Sequence, residues 1–270
     1  MFGEHKMHTL HARLCLSVLL ATMALVLTAC PAMTDGPQTT LTPGNWSVTA
    51  TSSSSAIGTF HVGGNLTQAG SALSGSMYVV GSMCFDVSEP VSFTGTVSGT
   101  DVTLTSADVN GQVFSVTATS TDSSTLSGTY TVTGGCAGSD SGTATASAVP
   151  SISGTWSGPV IGADGLSVTL SATLAQGTVA SSDGSFPLTG TLAYTGSNCS
   201  VSGTITNGFV AGSYILVNAN TVETDSSDGS IFYNQVLLDS SSNPHNMTGT
   251  YEVGSGLCAG DLQELTLNKP

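Results

Sequence analysis

Beyond its first thirty residues the chain alternates apolar with small polar residues at period two. Leu166, Val168, Leu170, Ala172 and Leu174 alternate with Ser167, Thr169, Ser171 and Thr173. Val102 and Leu104 alternate with Thr103 and Thr105, and Phe114, Val116 and Ala118 with Ser115, Thr117 and Thr119. A period of two with β-branched polar partners predicts strands with one buried face. Threonine keeps the solvent face β-prone. Turn signals separate these runs: Asn110-Gly111, Asp164-Gly165, Asp183-Gly184, Asn207-Gly208 and Asp228-Gly229. Such pairs supply the positive φ angles of tight hairpins. No segment of this region has the 3.6-residue period of a helix.

The pattern occurs twice. Gly44-Asn45-Trp46-Ser47 opens one copy and Gly154-Thr155-Trp156-Ser157 the other, and these hold the only two tryptophans. Leu126-Ser127-Gly128-Thr129-Tyr130-Thr131-Val132 stands late in the first copy, Met247-Thr248-Gly249-Thr250-Tyr251-Glu252-Val253 late in the second. Units of about 105–115 residues mark a duplicated domain rather than a short solenoid repeat. The domains therefore run over 44–149 and 150–270, with the boundary at Val149-Pro150-Ser151. Each contains about eight short strands, most joined by hairpins, and such a meander can close into a barrel without free edges. The predicted fold is all-β: two tandem antiparallel meanders, as small eight-stranded up-and-down barrels or, alternatively, as β-sandwiches. Glycines inside the strands, at Gly95, Gly128, Gly190, Gly203 and Gly249, suit the bends or close backbone approaches of a small barrel.

The N-terminus reads differently. Lys6 and Arg13 precede a 16-residue apolar run from Leu14 to Ala29, which ends in Leu27-Thr28-Ala29-Cys30. A basic region, an apolar core and a small-residue cleavage site form a secretory signal over 1–29. The run is shorter than the roughly 20 residues of a membrane-spanning helix. Leu27-Thr28-Ala29-Cys30 resembles the bacterial lipobox. The resemblance implies cleavage before Cys30, a diacylglyceryl group on its sulfur and an acylated amine, and hence anchoring to a membrane through lipid. Pro31, where an aspartate would signal inner-membrane retention, implies the outer membrane, facing the periplasm or the cell surface. Residues 30–43, with three prolines and one glycine after the cysteine, read as the lipidated end and a flexible tether.

Cleavage would change the charge balance further. Of 17 acidic residues only Glu4 lies in the leader, and of three cations only Lys269 lies beyond it, so the mature net charge is about −15. This excludes the basic footprint of a nucleic-acid binder and leaves lipid as the sole membrane link. Four cysteines remain beyond Cys30, and four allow three pairings. The matched positions of Cys84 and Cys136 in one copy and Cys199 and Cys258 in the other favour one disulfide per copy. Export supplies an oxidising compartment. No Cys-x-x-Cys spacing supports a zinc site.

Residues suited to catalysis are sparse. His61 and His245 lie at unmatched points and in no metal-ligand spacing. Glu89, Glu223, Glu252 and Glu264 do not recur between the copies, and no phosphate loop precedes a helix. The stretch Glu223 to Gly229 breaks the spacing of a calcium loop and reads as a hairpin turn. No enzymatic activity and no cofactor are expected. The Gly-x-Trp openings resemble those of lipocalins, and the Gly-Thr-Trp and Gly-Thr-Tyr segments are similar to those of avidin-type barrels. Both likenesses imply eight-stranded barrels that hold small ligands in an open end. The chain departs from both families: beyond the leader it has no arginine to cover the tryptophan, and one tryptophan per copy to line a pocket. The function expected is therefore a lipid-anchored, non-enzymatic binding module for a small apolar or carbohydrate ligand, or a structural or adhesive surface protein, with a hydrolase a distant third. Oligomeric state leaves no mark in the sequence.

Overall fold

The computed structural model describes residues 38–85, 87, 89–135, 138–161, 165, 167–195, 201–223, 229–238, 245–253 and 263–270. The lipobox, Cys136, Cys199, Cys258, Asp164, Leu166 and Asp228 lie outside them. Sixteen strands follow one another in the described residues, eight in each copy. In the first copy they are β1 (Gly44–Ser52), β2 (Thr59–Ala69), β3 (Ala72–Val80), β4 (Val91–Ser98), β5 (Asp101–Ser106), β6 (Val113–Asp122), β7 (Thr125–Thr133) and β8 (Ser139–Ala148). The second copy holds β9 (Gly154–Ile161), β10 (Ser167–Gln176), β11 (Phe186–Thr195), β12 (Val201–Ala211), β13 (Tyr214–Glu223), β14 (Gly229–Leu238), β15 (Asn246–Val253) and β16 (Gln263–Asn268).

Each strand pairs antiparallel with the next, and each set closes into a barrel. This decides between the two predicted architectures in favour of barrels. In the first, β1 pairs with both β2 and β8, leaving no open edge. In the second, β16 returns to β9 through a narrower seam, where Asn268 pairs with Ser157. Gly158 admits this approach, because a Cβ there would lie 1.9 Å from the Thr266 carbonyl oxygen.

The period-two pattern maps onto the two faces of each wall. Val168, Leu170, Ala172 and Leu174 of β10 point into the second core, while Ser167, Thr169, Ser171 and Thr173 face solvent. On the first barrel, exposed Thr96, Thr103, Thr117, Thr129, Thr143, Thr51 and Thr59 lie directly opposite one another on successive strands. Cross-strand threonine pairs of this kind stabilise an exposed sheet face. The strand glycines fulfil their expected role at Gly95 and Gly128. A Cβ would lie 1.9 Å from the Thr103 oxygen at the first and 2.1 Å from the Thr117 oxygen at the second.

Two sequence expectations are corrected. Asn207-Gly208 is not a hairpin turn; it lies inside β12, where the register shifts between Ile205 and Asn207. The extra residue is absorbed as a bulge. The tether does not extend to residue 43. Leu41 is buried, Thr39 N–H donates to the Gly99 carbonyl, and Thr42 N–H to that of Ser123. Residues 38–43 thus form a strap across the base of the first barrel, the end at which β1 begins.

Candidate functional site

The expected ligand site was the open end of a barrel. In the first barrel that end is filled. Phe60, Phe93, Phe114 and Tyr130 project inward from β2, β4, β6 and β7, and Phe85 enters from the loop between β3 and β4; all are at most 2% exposed. Phe114 lies at the centre, with ring centroids 5.8 Å from Phe60, 5.9 Å from Phe85, 6.1 Å from Phe93 and 5.7 Å from Tyr130. These edge-to-face and offset contacts are favoured by the ring quadrupoles. Asp140 closes the polar margin of this cluster. Its carboxylate accepts hydrogen bonds from Tyr130 Oη at 2.7 Å and Ser52 Oγ at 2.7 Å. Burial, followed by the bond to Asp140, raises the Tyr130 phenol to about 12.

The bases of the two barrels are closed by one device. Trp46 Nε1 donates to the Thr42 carbonyl at 2.7 Å, and Trp156 Nε1 to the Ile152 carbonyl at 2.7 Å. Gln68 Oε1 accepts from Leu41 N–H, and Gln176 Oε1 from Ile152 N–H. The matched tryptophans therefore fasten the incoming chain to the barrel base. In the second barrel Lys269 Nζ also stands 5.8 Å from the Trp156 ring centroid and donates to the Ser153 carbonyl. A cation thus stands over the tryptophan of the second barrel.

Between the barrels lies the most elaborate polar site among the described residues. The β12–β13 turn at Gly212-Ser213 docks on the outer wall of β1 and β2. Asn45 Nδ2 donates to the Gly212 carbonyl at 3.0 Å, and Gly212 N–H donates to Asn45 Oδ1 at 2.6 Å. The carboxamide thereby pairs with the turn as a strand backbone would. Ser47 Oγ donates to Ser213 Oγ at 3.0 Å. A Cβ on Gly63 would lie 2.5 Å from the Gly212 Cα, so neither position admits a side chain. Above this contact, Tyr78 Oη donates to Asp183 Oδ2 at 2.8 Å, and the Tyr78 ring stacks on Phe209 with centroids 5.0 Å apart. Val149, expected at the domain boundary, is buried in the second core, and its N–H donates to the Asn45 carbonyl. Sequence reasoning missed this site. Its components were visible only as an outward asparagine and two glycines among many.

The remaining candidates among the described residues lie in separate parts of the fold. Cys84 is buried at the top of the first barrel, with its carbonyl oxygen against Gly135. His61 is half-buried on β2, its Nδ1 3.4 Å from Thr49 Oγ1, and burial lowers its pKa. His245 is exposed at the second barrel's base, where its carbonyl accepts from Lys269 N–H. Among the described residues no three His, Cys, Asp or Glu side chains gather as a metal ion requires, and no helix is long and apolar enough to cross a membrane. A groove of about 560 Å³ on the outer wall of the second barrel is lined by hydroxyls, including Ser171, Thr173, Thr191, Ser202 and Thr204.

These features define a pair of joined up-and-down antiparallel β-barrels, the first with a closed aromatic interior. Comparison of the chain with protein-family models, curated proteins and solved structures finds no match. The likeness to lipocalin and avidin barrels accordingly stands at the level of architecture.

Proposed function

We propose that the protein is a lipid-anchored, extracytoplasmic structural or adhesive protein without catalytic activity, in which two barrels serve as one rigid body. The observation that carries this reading is the filled first barrel. An apolar ligand there would have to displace Phe60, Phe85 or Phe114, each at most 1% exposed. Interiors packed in this way hold no guest without losing contacts of their own. The filled interior turns the balance away from a ligand-carrying barrel and towards a scaffold. The hydroxyl-lined groove on the outer wall of the second barrel supports a carbohydrate as the surface such a scaffold would contact.

Export and anchoring rest on the basic, apolar and Leu-Thr-Ala-Cys sequence of the leader. The placement is the outer membrane, through acyl chains on Cys30. A Cys84–Cys136 disulfide is supported by the approach of Gly135, the residue before Cys136, to the Cys84 carbonyl. Cys199–Cys258 is its counterpart by duplication. Each would close a loop worth roughly 4 kcal/mol in the chain-entropy model.

One experiment tests the whole reading: native mass spectrometry of the chain extracted from membranes in mild detergent, before and after solvent extraction. The expected species starts at Cys30, carries covalent acyl chains, lacks the hydrogens that two disulfides remove, and loses no mass on extraction. A discrete non-covalent mass that extraction strips would replace the scaffold reading with ligand carriage. An N-terminus other than an acylated Cys30 would remove the anchor.

A further inference from the structure

Most outward positions of the first barrel are serine, threonine or glycine, but the outer wall of the second changes character at β12 and β13. There the outward side chains are Phe209, Tyr214 and Leu216, each half-buried, with Phe209 opposite Leu216 across the ladder. Phe209 and Tyr214 have ring centroids 5.8 Å apart. Inward of them, Val210, Ile215, Val217 and Ala219 fill the core. A strand apolar on both faces is the mark of a sheet covered on both sides.

Apart from Glu223 at the end of β13, the same strands carry no charge. Residues 201–222 and 229–238 contain no Asp, Glu, Lys, Arg or His, in a chain with 17 acidic residues. Charge decides which occupant fits. Two copies of a chain this acidic repel over most of their surfaces, and like charges set face to face cost several kcal/mol. An uncharged patch suits a self-complementary contact, because a two-fold axis sets the same patch of both copies face to face. The surface is also continuous with a contact that already joins two barrels, since Tyr78 of the first barrel stacks on Phe209 at its margin. The acidic groups nearest that margin, Asp183 and Glu89, act on the Tyr78 hydroxyl.

We propose that the uncharged outer face of β12 and β13, centred on Tyr214 and Leu216 and bordered by Phe209, is where a second copy of this chain docks, so that the anchored protein is a two-fold dimer of four barrels. The test is native mass spectrometry and sedimentation of the detergent-solubilised full chain at micromolar concentration. Wild type, Leu216→Glu, Leu216→Lys and, as a control on the threonine wall, Thr103→Glu are compared. The expected result is a wild-type dimer that Thr103→Glu preserves and that each Leu216 variant weakens by about 100-fold, as a charge buried without its partner does. Mixing the Glu and Lys variants restores the dimer by pairing opposite charges across the axis. Using both signs of charge keeps the test decisive if one variant misfolds, which near-ultraviolet circular dichroism reports. A monomeric wild type, a dimer indifferent to both Leu216 variants, or a face occupied only by lipid or by an unrelated protein overturns the proposal.

Discussion

Trp46 and Trp156 stand at matched points of the two barrels, and each indole donates to the carbonyl four residues before it. Above that common base the copies part. The first barrel is packed with Phe60, Phe85, Phe93, Phe114 and Tyr130. Among the described residues the second core is filled mainly by aliphatic residues such as Leu170, Leu188, Leu192, Ile205 and Ile215, with Phe186 and Tyr251 beside them. Tyr130 and Tyr251 occupy equivalent places in the repeat, yet Tyr130 donates to the buried Asp140 carboxylate and Tyr251 to the Ile161 carbonyl. The outer walls differ as well. Asn45 and Gly63 receive the turn of the other barrel, whereas the equivalent positions of the second wall are Thr155 and Ser171, by the pairing of Ser47 with Gly63 and Ser157 with Ser171. Ser171 brings a Cβ where backbone contact would be needed. Duplication preserved the barrel base and let the surfaces become non-equivalent, so the barrel-on-barrel contact stops after one step instead of propagating into a filament.

The difference between the cores can be broken most severely at Phe114. Phe114→Ala removes the ring that touches four other aromatic side chains. Phe-to-Ala changes in packed cores cost about 3–5 kcal/mol. Hydrogen exchange read by mass spectrometry should show that loss in peptides from β1–β8, with less than half of it in peptides from β9–β16. Equal losses in the two barrels would mean that they unfold as one unit and that the aromatic core is not a local property of the first.

The non-equivalence of the walls gives the next largest effect. Gly212 has φ +62°, and its Cβ would fall 2.5 Å from the Gly63 Cα. Gly212→Val combines backbone strain with a backbone clash, and should cost about 2–4 kcal/mol. The cost should appear as separation of the barrels, with cleavage of the 149–153 link by added protease faster by about tenfold, as a loss of 1.4 kcal/mol or more in protection allows. Ser171→Val, at the equivalent wall position of the second barrel, should leave cleavage unchanged. Wild-type cleavage rates in Gly212→Val would show that the contact contributes nothing to holding the barrels together.

The same contrast explains what was legible in the sequence. Period two gave the strands and their buried faces, because one residue of slip would turn every threonine inward. The paired tryptophans gave the duplication. Turns were read less well. Asn110-Gly111 is indeed a tight turn with positive φ at both residues, but Gly70-Ser71, Gly99-Thr100 and Gly212-Ser213 make three further hairpins with positive φ at the glycine alone. A glycine in the first central place is the signature of a II′ turn. In a chain with 33 glycines, that signal was hidden by glycines doing other work. The inter-barrel site was illegible for a different reason. Asn45 reads as an ordinary outward strand residue, and nothing near it in sequence indicates that residue 212 completes its hydrogen bonds. The aromatic filling lay in between: Phe114 stood on the apolar side of a period-two run, but Phe85 reaches the core from a loop, where no period governs it.

The finest test of the comparison sets Tyr78 against Tyr130, one phenol between the barrels and one inside the first, each donating to an aspartate. Tyr78→Phe keeps the stack on Phe209 and removes only the bond to Asp183, so near neutral pH it should cost about 1 kcal/mol. Its pH dependence follows from two shifts. Burial, followed by the bond to Asp183, raises the Tyr78 phenol from 10.0 to about 12. The folded state therefore favours the protonated phenol, and its contribution is full below pH 10 and lost as the pH rises from 10 towards 12. Asp183 shifts the other way. Desolvation opposes ionisation, but hydrogen bonds from Ser185 and Tyr78 outweigh it and hold the carboxyl below its usual 3.8. Its contribution is present above that value and fades as the pH falls below it. The stability difference between wild type and Tyr78→Phe, from denaturant midpoints at a series of pH values, should thus form a plateau from about pH 4 to 10 and shrink at both ends. Tyr130→Phe should share the alkaline arm, because its phenol is also raised to about 12. It should sit on a larger plateau, since it leaves the buried Asp140 short of a donor. A difference that stays flat through the alkaline range in Tyr78→Phe would show that the Tyr78–Asp183 bond does not persist in solution, leaving the ring stack and the Asn45–Gly212 pair to join the barrels.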